Sequence, residues 1–471
     1  MQFRRIPEGR SRFLSVFRVV LGVTLLPGTV LAQNLERPDH RTSEADTGPG
    51  NEHEDHQMLV LPVGDQWVLG GMAQLFPLVS TSRGVPEGRP LSTSEGLLSQ
   101  AALMLQLEST DGRWAIRLTP NLEGFTMRDG ELTPGGWGEG FLDARHPHTL
   151  LHEFMVSRNH RSESGWSASI SGGRGFVPFG SDDPMGRPVA KYPTNHHLAQ
   201  ILERYTLNAA LARDGWVIEG GVFDGTEPED PWDIGNWRNF GNSAALRLMW
   251  ASAGESVGPD EHIGHDVASG GGWELSLSMA RVIEHGDSDD PTFLGHAGIR
   301  FEGSSRFGES YLLLEGARSF IEDGPVSGYE SVLAEGALRR SMLRGYARGE
   351  WATRPEYPRQ SGAQGFYRYD HHDSAEGATR WLILSAGAEL LTGWGPIALR
   401  PFLEVANQRV TPEVGEIDPR LPVDRWFTLL TVGVRIFPGG GPMRMGPYGL
   451  RDDMSPMLRA HSPDEAGHMM H

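Results

Sequence analysis

Sixteen stretches of about ten residues, between residues 67 and 437, place an apolar side chain at every second position. A period of two gives a strand with unlike faces, because successive side chains point to opposite sides of the pleat. Leu103, Leu105 and Leu107 alternate with Met104, Gln106 and Glu108. Trp273, Leu275, Leu277 and Met279 alternate with Glu274, Ser276, Ser278 and Ala280, and Leu430, Val432, Val434 and Ile436 with Thr431, Gly433 and Arg435. Gly, Asp, Ser and Pro clusters separate the stretches, as turns require. The predicted strands are 67–79, 98–109, 112–126, 148–158, 165–176, 199–212, 215–223, 241–251, 273–284, 293–303, 309–319, 331–340, 342–352, 378–391, 397–407 and 426–437.

Alternation fits a soluble sandwich with its apolar face inward, or a membrane barrel with its apolar face outward. Two features favour the barrel. The stretches match the roughly 9–11 residues of a tilted transmembrane strand, and their polar faces carry charge along the middle of the strand, as a wet lumen requires. The expected fold is all-β: a transmembrane antiparallel up-and-down barrel of about 16 strands. No stretch beyond the N-terminus approaches the ~20 apolar residues of a membrane helix, and only closed barrels otherwise satisfy the backbone in lipid.

The connections test this independently. Counted from the first strand, even ones are brief (Thr110-Asp111, 159–164, Arg213-Asp214, 303–308, Ser341, 392–396). Odd ones are long (81–97, 127–147, 177–198, 224–240, 353–377, 408–425). Barrels of this kind sort short periplasmic turns from long external loops in the same way. One even connection, 252–272, is long, which implies a misplaced strand or a periplasmic excursion. Trp67, Trp114, Trp166, Trp216, Trp273, Trp381 and Trp426 lie near strand ends, where they are interfacial girdles in a barrel or core residues in a soluble protein.

Arg4, Arg5, Arg10 and Arg12 precede an apolar run over 13–26, and Val30-Leu31-Ala32 supplies a cleavage site. That order predicts a secretory signal peptide over 1–32, with a transmembrane anchor as the alternative. Residues 33–64 are expected as a flexible His/acidic periplasmic tail, 65–437 as the outer-membrane barrel and 438–471 as a flexible Met/His-rich periplasmic tail. The formal charge of −19 argues against nucleic acid, which needs a basic face. The absence of cysteine removes disulfides, thiol nucleophiles and thiolate metal sites.

The closing strand ends Val432-Gly433-Val434-Arg435-Ile436-Phe437, and is similar to the alternating, Phe-terminated signal by which outer-membrane barrels are recognised for assembly. With the export signal and the strand number, the chain resembles the sixteen-stranded porin superfamily over about residues 65–437. The resemblance implies a bacterial outer-membrane location, contact with membrane lipid and lipopolysaccharide, passage of small polar or ionic solutes, and a homotrimer by analogy.

Strand parity turns Arg113, Arg117, Arg204, Arg247, Arg300, Arg344, Arg348 and Arg400 toward the lumen, with Glu219, Glu274, Glu302, Glu350 and Glu404. These pore-lining candidates form facing rows with a transverse field, or salt bridges in a filled lumen. The loop 177–198, with Gly and Pro for tight bends and Asp182, Asp183, Arg187 and Lys191 for charge, is the candidate constriction. Metal-ligating candidates are His146, His148, His196, His197, His371 and His372 in loops, His53, His56 and Met58 before the barrel, and Met443, Met445, His468 and His471 after it. Imidazole with thioether favours copper, and the tails are similar in composition to those of copper-resistance outer-membrane proteins. The plain alternative is solvated histidines and tails. No cofactor is required, and no GxSxG, P-loop, HExxH or dinucleotide fingerprint is present, so no catalytic residue is assigned. The primary expectation is a porin-like diffusion channel. The alternative is a metal-binding resistance protein anchored by its barrel.

Overall fold

The computed structural model describes residues 59–83, 94–126, 149–181, 186–190, 192–194, 196–228, 232–235, 237–252, 271–284, 291–321, 326–356, 377–394, 397–415, 422–439 and 448–450. Its strands are β1 (Leu59–Val63), β2 (Trp67–Arg83), β3 (Ser94–Ser109), β4 (Trp114–Pro120), β5 (Leu151–Arg161), β6 (Ser167–Gly175), β7 (Arg204–Arg213), β8 (Trp216–Phe223), β9 (Ser243–Ala251), β10 (Gly271–Val282), β11 (Thr292–Ser305), β12 (Gly308–Phe320), β13 (Glu330–Arg340), β14 (Leu343–Glu356), β15 (Gly377–Leu390), β16 (Thr392–Trp394), β17 (Ile397–Gly415) and β18 (Trp426–Pro438). Two single helical turns accompany them, α1 (Glu123–Thr126) and α2 (His196–Ala199).

Each main strand pairs antiparallel with the next, and β18 returns to β2 through Thr431↔Ser80 and Val432↔Val79. Leaving aside the short β1 and β16, which form hairpins with β2 and β17, sixteen strands close one barrel. All sixteen coincide with predicted strands.

The faces sort as the alternation demands. Leu277 and Val432 are 49 % and 53 % exposed on the outside, whereas Glu335 and Arg348 are each 2 % exposed within. Grease outward and charge inward is the reverse of a soluble sandwich, and it is the arrangement lipid imposes on a barrel.

Several strands run longer than expected. On β17 the outward side chains change from Leu403 and Val405 to Asn407 and Arg409, and the strand continues to Gly415. Once the outer face also meets water, apolar alternation stops while backbone pairing continues. Others are shorter, β4 and β7 most of all. β4 ends at Pro120, where Asn121 Oδ1 accepts the Glu123 amide at 2.9 Å and starts α1. β7 begins at Arg204, after Glu203 takes a left-handed φ of 54°. β1 lies inside the expected 33–64 tail, and pairs with β2 through Val63↔Trp67.

Connection lengths sort by end. The turns Asp214-Gly215, Arg306-Phe307 and Ser341-Met342 sit at one end, with 110–113 and 162–166. Asp214 and Gly215 both have positive φ, 50° and 81°, as a two-residue hairpin matched to strand twist requires. At the long even connection, β9 and β10 pair from Ala251↔Glu274. No strand is misplaced there; residues 253–270 themselves lie outside the described set. Trp114, Trp166, Trp216 and Trp273 face outward at the end that carries the short turns, and Trp426 faces outward near the long-loop end. Trp381 departs from this expectation: it is 1 % exposed and points into the barrel against Phe427, because its register places it on the inward set of β15.

Candidate functional site in the barrel lumen

The connection between β6 and β7 turns into the barrel. Phe176, Val177, Phe179, Val189, Tyr192, Ile201 and Leu202 are buried, and a loop with this apolar content needs a surface to cover. The lumen provides it. Phe176, Tyr192 and Leu202 pack with Met72, Phe76, Met104, Met155 and Phe437, while Phe179 and Ile201 pack with Phe223, Ala245, Ala280 and Val282. The turn closes tightly at Gly180 (φ +74°), where a Cβ would lie 1.6 Å from the Ala199 carbonyl oxygen.

Polar bonds tie the loop to the wall far from its roots. Arg187 reaches Glu315 on β12 at 3.1 Å and Glu335 on β13 at 4.0 Å. The Thr194 amide donates to Glu350 on β14 at 2.6 Å, and Arg354 donates to the Thr194 carbonyl at 2.9 Å. Arg435 on β18 donates to the Arg187 carbonyl at 2.9 Å. Nearer the roots, Gly180 donates to Ser278 at 2.8 Å and its carbonyl accepts from Arg247 at 3.3 Å. Burial opposes the Arg187 charge, yet Glu315 and Glu335 outweigh it and hold the guanidinium protonated more firmly than usual.

Around these anchors the lumen charges pair sideways. Arg348 bridges Glu335 at 3.3 Å and Glu350 at 2.9 Å, and Tyr311 donates to Glu335 at 2.6 Å. His296 lies 3.5 Å from Glu315. Arg344 and Arg435 share Glu389 at 2.8 and 2.6 Å. Across the barrel, Glu203 accepts from the Thr149 amide at 3.1 Å and meets His152 at 2.6 Å and Arg174 at 3.8 Å. Arg247 meets Glu219 at 2.6 Å. Among the described residues the lumen charges pair with near neighbours, mostly between strands and, for Arg348 and Glu350, along one strand. One region is left rich in cation: Arg400 lies over the Phe437 ring at 5.0 Å, cross-strand from Arg435, and its Nη1 is buried with no partner among the described residues.

Arg117, Arg204, Arg247, Arg300, Arg344, Arg348 and Arg400 are on the inward faces of their strands, with Glu219, Glu274, Glu302, Glu350 and Glu404. Arg300 and Glu302 pair near the barrel end, where Glu302 is solvated. Arg113 is a correction. It sits in the turn before β4, solvated and 3.5 Å from Asp111, because strand parity does not extend into a turn. Of the constriction-loop candidates Arg187 is described; Asp182, Asp183 and Lys191 lie outside the described residues. Glu315 and Glu389 were open to the same parity argument but were not singled out. His152 meets Glu203, and Tyr448 meets Glu153, through chain reversals that leave no periodic trace.

His196 is buried in α2, edge-on to Tyr192 at 5.3 Å, and the backbone of His197 shares that turn. His146, His148, His371, His372, His53, His56, Met58, Met443, Met445, His468 and His471 lie outside the described residues. Among the described residues no group of three or more His, Asp or Glu is placed to hold a metal. Phe437, the aromatic end of the closing strand, points inward and packs edge-on against Phe76 at 5.4 Å. The segment expected as a flexible 438–471 tail is not wholly outside the barrel either, because Tyr448 and Leu450 are buried against the inner wall.

No family model and no curated protein sequence matches the chain. Among solved structures it is similar to an anion-selective porin from Comamonas acidovorans (10 % identity, TM-score 0.44, 79 % of this chain and 99 % of that one). It is likewise similar to Salmonella typhi OmpF in complex with daunomycin (10 %, 0.44, 80 % and 100 %) and to the outer-membrane channel DcaP of Acinetobacter baumannii (7 %, 0.43, 80 % and 99 %).

Proposed function

We propose that this chain is a porin-like channel of the bacterial outer membrane through which small polar or ionic solutes diffuse. One observation carries the reading: a closed sixteen-stranded cylinder, apolar outside and charged within, has its β6–β7 connection folded across the interior and bonded to β12, β13, β14 and β18. A segment held this way narrows a passage without sealing it by covalent structure. The paired arginines and glutamates around it present hydrogen-bonding groups in place of a solute's lost water, which favours polar over apolar passengers. Lipid and lipopolysaccharide would surround the apolar exterior, and association into a trimer is part of the same reading.

The test is planar-bilayer recording of the refolded barrel, with reversal potentials in a salt gradient. Discrete, stable conductance steps are expected. A bilayer that stays silent at protein levels where the barrel is demonstrably inserted overturns the channel reading.

A further inference from the structure

Part of the inner wall of β6 and β7 carries only small side chains. Ser169, Ser171 and Gly175 on β6 and Ala210 and Ala212 on β7 face the lumen, and all five are buried. Side chains this small do not bury one another across a barrel, so another group must fill the space before them. That group comes from beyond the closing strand. β18 ends at Pro438, yet Tyr448 and Leu450 are 5 % and 2 % exposed inside the barrel.

The fit is specific. The Tyr448 hydroxyl donates to Glu153 at 2.7 Å and accepts the Phe176 amide at 2.9 Å, and Arg117 lies over its ring at 5.3 Å. Ser169 donates to the Tyr448 carbonyl at 3.3 Å. A Cβ on Gly175 would fall 2.2 Å from the Tyr448 oxygen, so the glycine is what leaves room for the phenol. Leu450 packs with Ala210, Ala212, Val217 and Met249. It does so at φ 47°, a left-handed conformation that a residue with a side chain keeps only where its surroundings impose it.

We infer that residues 448–450 are a latch, by which the chain docks its own C-terminal segment onto the β4–β9 inner wall and narrows the lumen from that side. Phe176 opens the β6–β7 connection, so the bond from its amide to Tyr448 ties the latch to the root of the inward loop. The narrowing rests on the channel reading above; the docking does not.

Two measurements separate them. The chain has no cysteine, so Leu450→Cys gives a single thiol for labelling in the full-length protein. It should react slowly, and adding Tyr448→Ala should speed it about tenfold, the equivalent of one lost hydrogen bond to a charged group. Tyr448→Phe, which keeps the ring, should fall between. In bilayers Tyr448→Ala should raise unit conductance about twofold by widening the lumen. Fast labelling without the tyrosine change overturns the docking. Fast labelling with Tyr448→Ala at unchanged conductance overturns the narrowing. If every form is silent, the channel reading falls and the labelling rate alone decides the latch. Should Tyr448→Ala fail to fold, the comparison of Tyr448→Phe with the parent protein carries the same outcomes at smaller size.

Discussion

Arg187 shows how much one side chain can decide in this lumen. Its guanidinium serves Glu315 and Glu335 while Arg435 holds its carbonyl, so the loop and three strands meet at one residue. Arg187→Ala leaves two buried carboxylates short of a cation, and breaking a buried pair in this way costs about 3–5 kcal/mol. The expected outcome is a lower urea midpoint together with noisier single-channel current, since the loop loses its far anchor. Arg187→Lys should recover part of both. Tyr448 gives a pH dependence. Burial and then Glu153 raise its pKa, so the neutral phenol is favoured in the folded chain. That contribution is fully present below the unfolded value of about 10 and is lost as pH rises through the raised folded value. Alkaline titration followed by labelling of Leu450→Cys should therefore show the thiol opening above about pH 10. Labelling whose rate tracks only the thiol's own ionisation would contradict this. Arg187 was legible in the sequence as a charge in a Gly- and Pro-rich loop; Tyr448 was not, because Glu153 and Phe176, which it binds, stand 295 and 272 positions away in the chain.

At the scale of elements, the strands were legible because lipid acts as a solvent of fixed sign. Each outward position between the girdles must be apolar, and the period of two is the record of that demand. Leu277→Arg, outward on β10, should cost about 2–4 kcal/mol if it lies at mid-depth, read from folding titrations in lipid vesicles. Ser278→Arg, one residue along and facing the lumen, should escape this lipid cost and act through crowding at Gly180, which it bonds. Equal losses from lipid partition at both positions would contradict the assigned faces. The turn at Gly215 is a second element-scale test. Its φ of +81°, and an Ala251 carbonyl oxygen 2.4 Å from where a Cβ would stand, leave no place for a side chain. Gly215→Val should destabilise the β7–β8 hairpin by about 1–3 kcal/mol. The strand ends were less legible. β17 pairs on to Gly415 after its outer face becomes polar, and hydrogen-bonded pairing above the membrane needs no alternation.

For the whole molecule, closure is the fact on which the rest depends. Pairing of β18 with β2 removes both sheet edges, and an edge in lipid would leave backbone groups without partners. The sequence by itself determined the strand number, the order of short and long connections, and which face of each strand meets lipid, because these follow from local periodicity set by a uniform solvent. It also marked the β6–β7 connection as a candidate to enter the lumen, through its turn residues and charges. What fills the interior was decided by tertiary structure alone. Arg113 left the lumen for a solvated turn, Trp381 went inside, lumen charges paired between neighbours, and Tyr448 and Leu450 docked on a wall of serines, glycines and alanines more than two hundred residues away. The lumen has no such uniform solvent: each inward group answers to whichever strand, loop or tail the closed cylinder places opposite it, and that partner is fixed only when the barrel shuts.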